Sequence, residues 1–60
     1  MMKNFKMWAS QTGLTAKEHK DICAVEFKHT KSGKVAYYDK YVVENSFTKK
    51  NLQEIAEILA

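Results

Sequence analysis

The sequence predicts an α+β fold, an antiparallel sheet with helices on one face, on three observations. Residues 22–43, ICAVEFKHTKSGKVAYYDKYVV, carry two runs of alternating apolar residues around a turn with a single Gly, the pattern of a β-hairpin. Residues 48–59 place apolar side chains at helical spacing. An apolar strand row and an apolar helix stripe must cover each other, which gives a two-layer domain.

Sixty residues make one domain at most, near the lower limit for a single core, so a single small domain over residues 1–60 is expected. One cysteine cannot form an internal disulfide, and the apolar share is 45%, as in an ordinary globular chain from a reducing compartment. The start MMKNFKMW lacks the apolar run of a signal peptide, and nowhere are there the ~20 consecutive apolar residues of a membrane span. The expected location is cytoplasmic, with no membrane partner. The net charge of +3 permits attraction to acidic surfaces such as nucleic acid. All 10 basic residues are Lys. Arg is the residue that forks onto guanine and phosphate, so a nucleic-acid partner would be read by backbone and shape rather than by sequence.

Along the chain, Met1 to Gln11 fits a helical stripe of Met1, Phe5, Trp8 and Ala9, although Phe5, Met7 and Ala9 also alternate. A helix is favoured because Gly13 followed by Leu14 matches a left-handed C-cap with its trailing apolar residue. Leu14 to Lys20 reads either as a short helical turn, with Thr15 and Glu18 as a capping box, or as a polar edge strand. In the hairpin, a three-residue loop Lys31-Ser32-Gly33 pairs Thr30 with Lys34, Phe27 with Tyr37 and Cys23 with Tyr41. This puts Cys23, Val25, Phe27 and His29 on the same side as Val35, Tyr37, Tyr41 and Val43. A two-residue Ser32-Gly33 loop shifts the register by one and turns one apolar row away. Thr48 is the expected N-cap of the last helix, Phe47 its staple onto Leu52, and Leu52, Ile55, Ala56 and Leu59 its buried stripe.

Few residues suggest chemistry. His19, His29 and Cys23 are the only soft metal ligands, and a closed zinc site needs four. On one strand Cys23 and His29 would lie ~20 Å apart, which excludes both a shared metal and a nucleophile pair there. No metal, cofactor or catalytic residue is therefore expected. Cys23 reads as a small buried hydrophobe. Asp39 interrupts the apolar row between Tyr37 and Tyr41, so either a tyrosine hydroxyl or a lysine satisfies it or it sits at a rim. Lys28, Lys31 and Lys34 crowd the hairpin tip. Lys49 and Lys50 open the last helix, where the dipole favours anions rather than cations, which marks a possible phosphate contact. Tyr38, placed on the outer face between Ala36 and Lys40, offers a stacking surface.

The run Phe47-Thr48-Lys49-Lys50-Asn51-Leu52 resembles the hydroxyl-Lys-Lys start of the last helix in double-stranded RNA-binding domains, where the family's lysines meet phosphates. Phe27-Lys28-His29 with Gly33-Lys34, and the pair Gly13-Leu14, are similar to segments of HicA-type toxins, which share that fold. The resemblance implies three strands flanked by helices, an α-β-β-β-α order, and so assigns Leu14 to Lys20 to a strand. Lys49 and Lys50 carry over. Gln53 stands where the family has its third lysine, and Ile22, Cys23 and Ala24 stand where HicA proteins have a catalytic histidine, so ribonuclease activity is not implied.

The expected function is a small non-catalytic module that contacts nucleic acid, RNA preferred, by phosphate and shape through Lys49, Lys50, Lys28, Lys31 and Lys34, with Tyr38 for stacking. The alternative is a regulatory or inhibitory protein that docks on a larger protein through a sheet edge or an aromatic patch.

Overall fold

The computed structural model describes residues 5–60. The chain runs α1 (Phe5–Gln11), β1 (Leu14–His19), β2 (Ala24–His29), β3 (Val35–Asp39), α2 (Lys40–Ser46) and α3 (Lys49–Leu59). The strands form one antiparallel sheet in the order β1-β2-β3. This is the α+β fold expected from the sequence, with one helix more, α2. The part of the first expected helix before Phe5 lies outside the described residues.

Each boundary has a local cause. α1 buries Phe5 and Ala9, one turn apart, and leaves Met7 exposed. It ends at Gly13, whose φ of 83° is the left-handed conformation that suits a glycine, and Leu14 beyond it is fully buried. Gly33, at φ 77°, closes the β2–β3 turn. α3 starts at Thr48, whose hydroxyl accepts from the Asn51 amide while Asn51 Oδ1 accepts from the Thr48 amide. Phe47 and Leu52, on either side of that cap, are both buried in the core with Ile55, Ala56 and Leu59.

The hairpin differs from its expected form. Its loop is Thr30-Lys31-Ser32-Gly33: the His29 amide donates to the Lys34 carbonyl at 2.8 Å and the Gly33 amide to the His29 carbonyl at 2.9 Å. Phe27 consequently pairs with Ala36, and Glu26 with Tyr37. The core row of β3 is Ala36 and Tyr38, while Val35 and Tyr37 face outward. Two physical facts account for the shift. The row Val35, Tyr37, Tyr41, Val43 that favoured the other register is not a strand row, because β3 stops at Asp39 and Tyr41 and Val43 belong to a helix. Tyr38 then packs edge-on against Phe27 and Phe47, at centroid distances of 5.9 and 5.2 Å, completing an aromatic cluster that Tyr37 could not reach from the other face.

Asp39 is the N-cap of α2. Its carboxylate accepts from the amides of Tyr41 and Val42 at 2.8 and 3.4 Å, which is how a charge between two tyrosines is satisfied. α2 buries Val43 and leaves Tyr41 72% exposed. Cys23 is also exposed, in the β1–β2 turn at φ 54°, rather than buried on a strand.

Candidate nucleic-acid interface

The helices leave the outer face of the sheet uncovered. Strand alternation and the observed register put His19, Ala24 and Asp39 in one row across it, Lys17, Glu26 and Tyr37 in the next, and Thr15, Lys28 and Val35 in the third. Ala24, in the central strand, is small. His19 from β1 and Tyr37 from β3 therefore lean together above it, with ring centroids 5.5 Å apart.

Glu26 holds the two rings. His19 Nε2 donates to Glu26 Oε1 at 2.7 Å, and the Tyr37 hydroxyl donates to the same oxygen at 3.2 Å. The bond from His19 holds the Glu26 carboxyl below its ordinary range against partial desolvation, and the bond from Tyr37 and the charge of nearby Lys17 add to that. The same carboxylate raises the pKa of Tyr37. Glu26 Oε2 has no hydrogen-bond partner among the described residues and is an available acceptor between two rings.

The expected site residues divide into separate places. Lys28 is exposed on this open face, and Lys31 and Lys34 lie beyond it in the β2–β3 turn. That turn is fixed by Ser32, whose hydroxyl donates to the Leu59 carbonyl, so Lys31 and Lys34 sit near the negative end of the α3 dipole. Lys49 and Lys50 open the same helix. Eleven residues at 1.5 Å each set them ~15 Å from the turn, in the helix layer on the other side of the sheet. Tyr38 points into the core side and is half-buried, so the aromatic residue that the outer face displays is its neighbour Tyr37, 53% exposed.

The grouping of His19, Glu26 and Tyr37 is not legible in the sequence, where His19 stands only as an isolated soft ligand, because the register that buries Tyr37 separates it from His19. The interrupted row at Asp39 was the available signal: read as a helix cap, it ends the strand and removes the reason for burying Tyr37. His29 is accounted for structurally, its Nδ1 accepting from the Ser32 amide at 3.0 Å. A further basic group surrounds Glu18, which is ion-paired with Lys40 and has Lys20 and Lys6 close enough to lower its pKa further; the Lys40 bond is the main cause. Among the described residues, no three His, Cys, Asp or Glu come together as a metal site, and no helix is long and apolar enough to cross a membrane. No family model, curated protein or solved structure matches the chain.

Proposed function

We propose that the chain is a small non-catalytic module that binds single-stranded nucleic acid, RNA in preference to DNA, on the open face of its sheet. The observation that carries this reading is the pair of rings, His19 and Tyr37, presented beside Lys17 and Lys28 on a face no helix covers. Bases stack on exposed aromatic faces with little sequence preference, and lysines along the rim neutralise phosphates. Lys31, in the β2–β3 turn, extends the phosphate path past the end of β2, whereas Lys34 falls in the helix-side row with Ala36 and Tyr38. The unused oxygen of Glu26 repels phosphate and accepts a hydroxyl, which directs the backbone to the rim and favours a ribose 2′-OH over a deoxyribose. Lys49 and Lys50 form a second, separate contact, of the kind the resemblance to double-stranded RNA-binding domains implies for duplexes.

The test is titration of labelled single-stranded RNA and DNA of one sequence with the parent chain and with Tyr37→Ala. The expected result is tighter binding of RNA and a loss of about ten-fold in affinity in the variant, the value of one lost stacking contact. Equal affinity of parent and Tyr37→Ala would move the site off this face. The absence of measurable affinity for either strand would favour docking on a protein.

A further inference from the structure

We propose that the outer edge of β3 pairs antiparallel with β3 of a second copy, about a two-fold axis through Ala36, so that two three-stranded sheets become one. The inference rests on the edge itself and not on the nucleic-acid reading. Lys34 bonds to β2 through its carbonyl and Lys40 bonds back through its amide, to His29 and Cys23 respectively. Even-numbered residues of β3 thus bond inward, and the N–H and C=O of Val35 and Tyr37 point out of the sheet. The opposite edge, β1, carries Lys17 and Glu18 and has α1 packed against it. β3 has no Lys and no Pro, and its one charge, Asp39, is engaged in capping α2.

Apolar surface flanks this edge on both sides. Val35 and Tyr37 are 43% and 53% exposed on the open face. On the helix side lies a groove of about 240 Å³ lined by Tyr38, Phe47, Ile55, Ile58 and the polar Asn51 and Glu54, with Ile58 73% exposed.

Charge selects both the occupant and the register. A two-fold axis through Tyr37 would set Lys34 against Lys40 of the second copy, which is repulsive. Moved to Ala36, the axis sets Val35 opposite Tyr37 of the second copy, twice, with about four backbone hydrogen bonds between outward-pointing groups. Lys34 of each copy then lies opposite Tyr38 of the other, at the mouth of the groove where Glu54 supplies the opposite charge. Ala36 on the axis leaves room for the two helix layers to approach. A strand pair of this length with its flanking side chains buries on the order of 500 Å² per copy, less than the ~800 Å² of a standard interface, so the dimer is weak and reversible. Each outer edge of the pair is a β1, whose Lys17 and Glu18 disfavour further strand addition, so assembly stops at two.

Sedimentation equilibrium of the full chain from about 10 µM to about 1 mM is the test, a range that covers weak dissociation constants. The expected result is a rise from monomer to dimer mass, a dissociation constant at least about ten-fold weaker for Val35→Lys, a similar weakening for Glu54→Lys, and recovery when Lys34→Glu is added to Glu54→Lys. A thermal melt checks that each variant folds. If Val35→Lys does not fold, amide exchange of the parent replaces it: Val35 and Tyr37 gain protection with concentration while β1 does not. A monomer throughout the range overturns the proposal, as does a dimer indifferent to Val35→Lys, a charge swap that restores nothing, or protection that grows at β1 instead.

Discussion

Phe27 of the central strand lies flat against Phe47 of the α2–α3 junction, with ring centroids 5.7 Å apart and planes only 8° from parallel. This contact ties the sheet to the point where the chain enters its last helix, and Phe27 is fully buried there. Phe27→Ala should cost about 3–5 kcal/mol, comparable to the whole stability of a domain this size, and abolish a cooperative thermal transition. Tyr37→Ala removes a half-exposed ring and should leave the transition in place. If the two variants melt alike, Tyr37 is a core residue and the register is the other one.

How far the sequence reaches can be seen at the two ends of the hairpin. The final helix was legible because its signals agree locally: Thr48 caps, Phe47 precedes the cap, and Leu52, Ile55, Ala56 and Leu59 share one face. Gly13 marked the end of α1 for the same reason. The β2–β3 register was not legible, since it depends on where β3 stops, and β-branched Val42 and Val43 read as strand while they form a helix. Tertiary packing of Val43 and the Asp39 cap override that local preference. One residue of register then exchanges Tyr37 and Tyr38 between the two faces, and with them the composition of the candidate site.

The cap makes its own prediction. Asp39→Ala leaves the amides of Tyr41 and Val42 without their acceptor and should destabilise the fold by about 1 kcal/mol, whereas Asp39→Asn keeps an acceptor and should cost less. Denaturant midpoints of the three proteins measure this. Equal midpoints would mean that α2 contributes nothing to the cooperative unit.

The ion pairs set the pH range of stability. Glu18 and Glu26 are held below the ordinary carboxylate value of 4.5, first by Lys40 and by His19 respectively. A lowered folded pKa gives stability that is present above the unfolded value and lost as pH falls through the folded one. Tyr37 and Lys40 are raised above 10.0 and 10.5, by Glu26 and Glu18. Their contribution is complete below those values and is lost as pH rises beyond them. Stability should therefore decline below about pH 5 as the Glu18 and Glu26 carboxylates take up protons and above about pH 9.5 as Tyr37 and Lys40 lose theirs. Glu26→Gln should flatten both limbs, since it removes the carboxylate that titrates in acid and the charge that raises Tyr37; unchanged limbs would show that the outer-face bonds do not survive in solution.

Cys23 should be accessible to reagents. It lies exposed in the β1–β2 turn, where neither a strand nor a helix covers it. An alkylating agent at neutral pH should modify the folded chain at a rate close to that of the denatured chain, because thiol reactivity follows thiolate fraction and exposure. Protection by ten-fold or more would place the thiol in the core and remove the turn conformation described for it.

Under the proposed function, the lysines distinguish the open sheet face from the helix layer as the contact for each form of nucleic acid. Each phosphate neutralised on a single strand contributes roughly 0.7 to the slope of log affinity against log salt, and on a B-form duplex roughly 0.9. Lys17 and Lys28 stand on the open face beside the rings, so replacing both with Ala should lower the single-strand slope by about 1.4 and weaken binding evenly across sequences, because phosphate contacts carry no base information. Lys49 and Lys50 lie in the other layer, out of reach of a strand stacked on His19 and Tyr37. Their replacement should leave the single-strand slope unchanged and lower the slope on duplex RNA by one to two units, taking the B-form value as a guide. Stability should hold or rise slightly in that second variant, since two cations leave the positive end of a helix dipole. Salt titrations of both double variants on single-stranded and duplex RNA make the comparison. A single-strand slope that responds to Lys49 and Lys50 but not to Lys17 and Lys28 would transfer the site from the sheet to the helices.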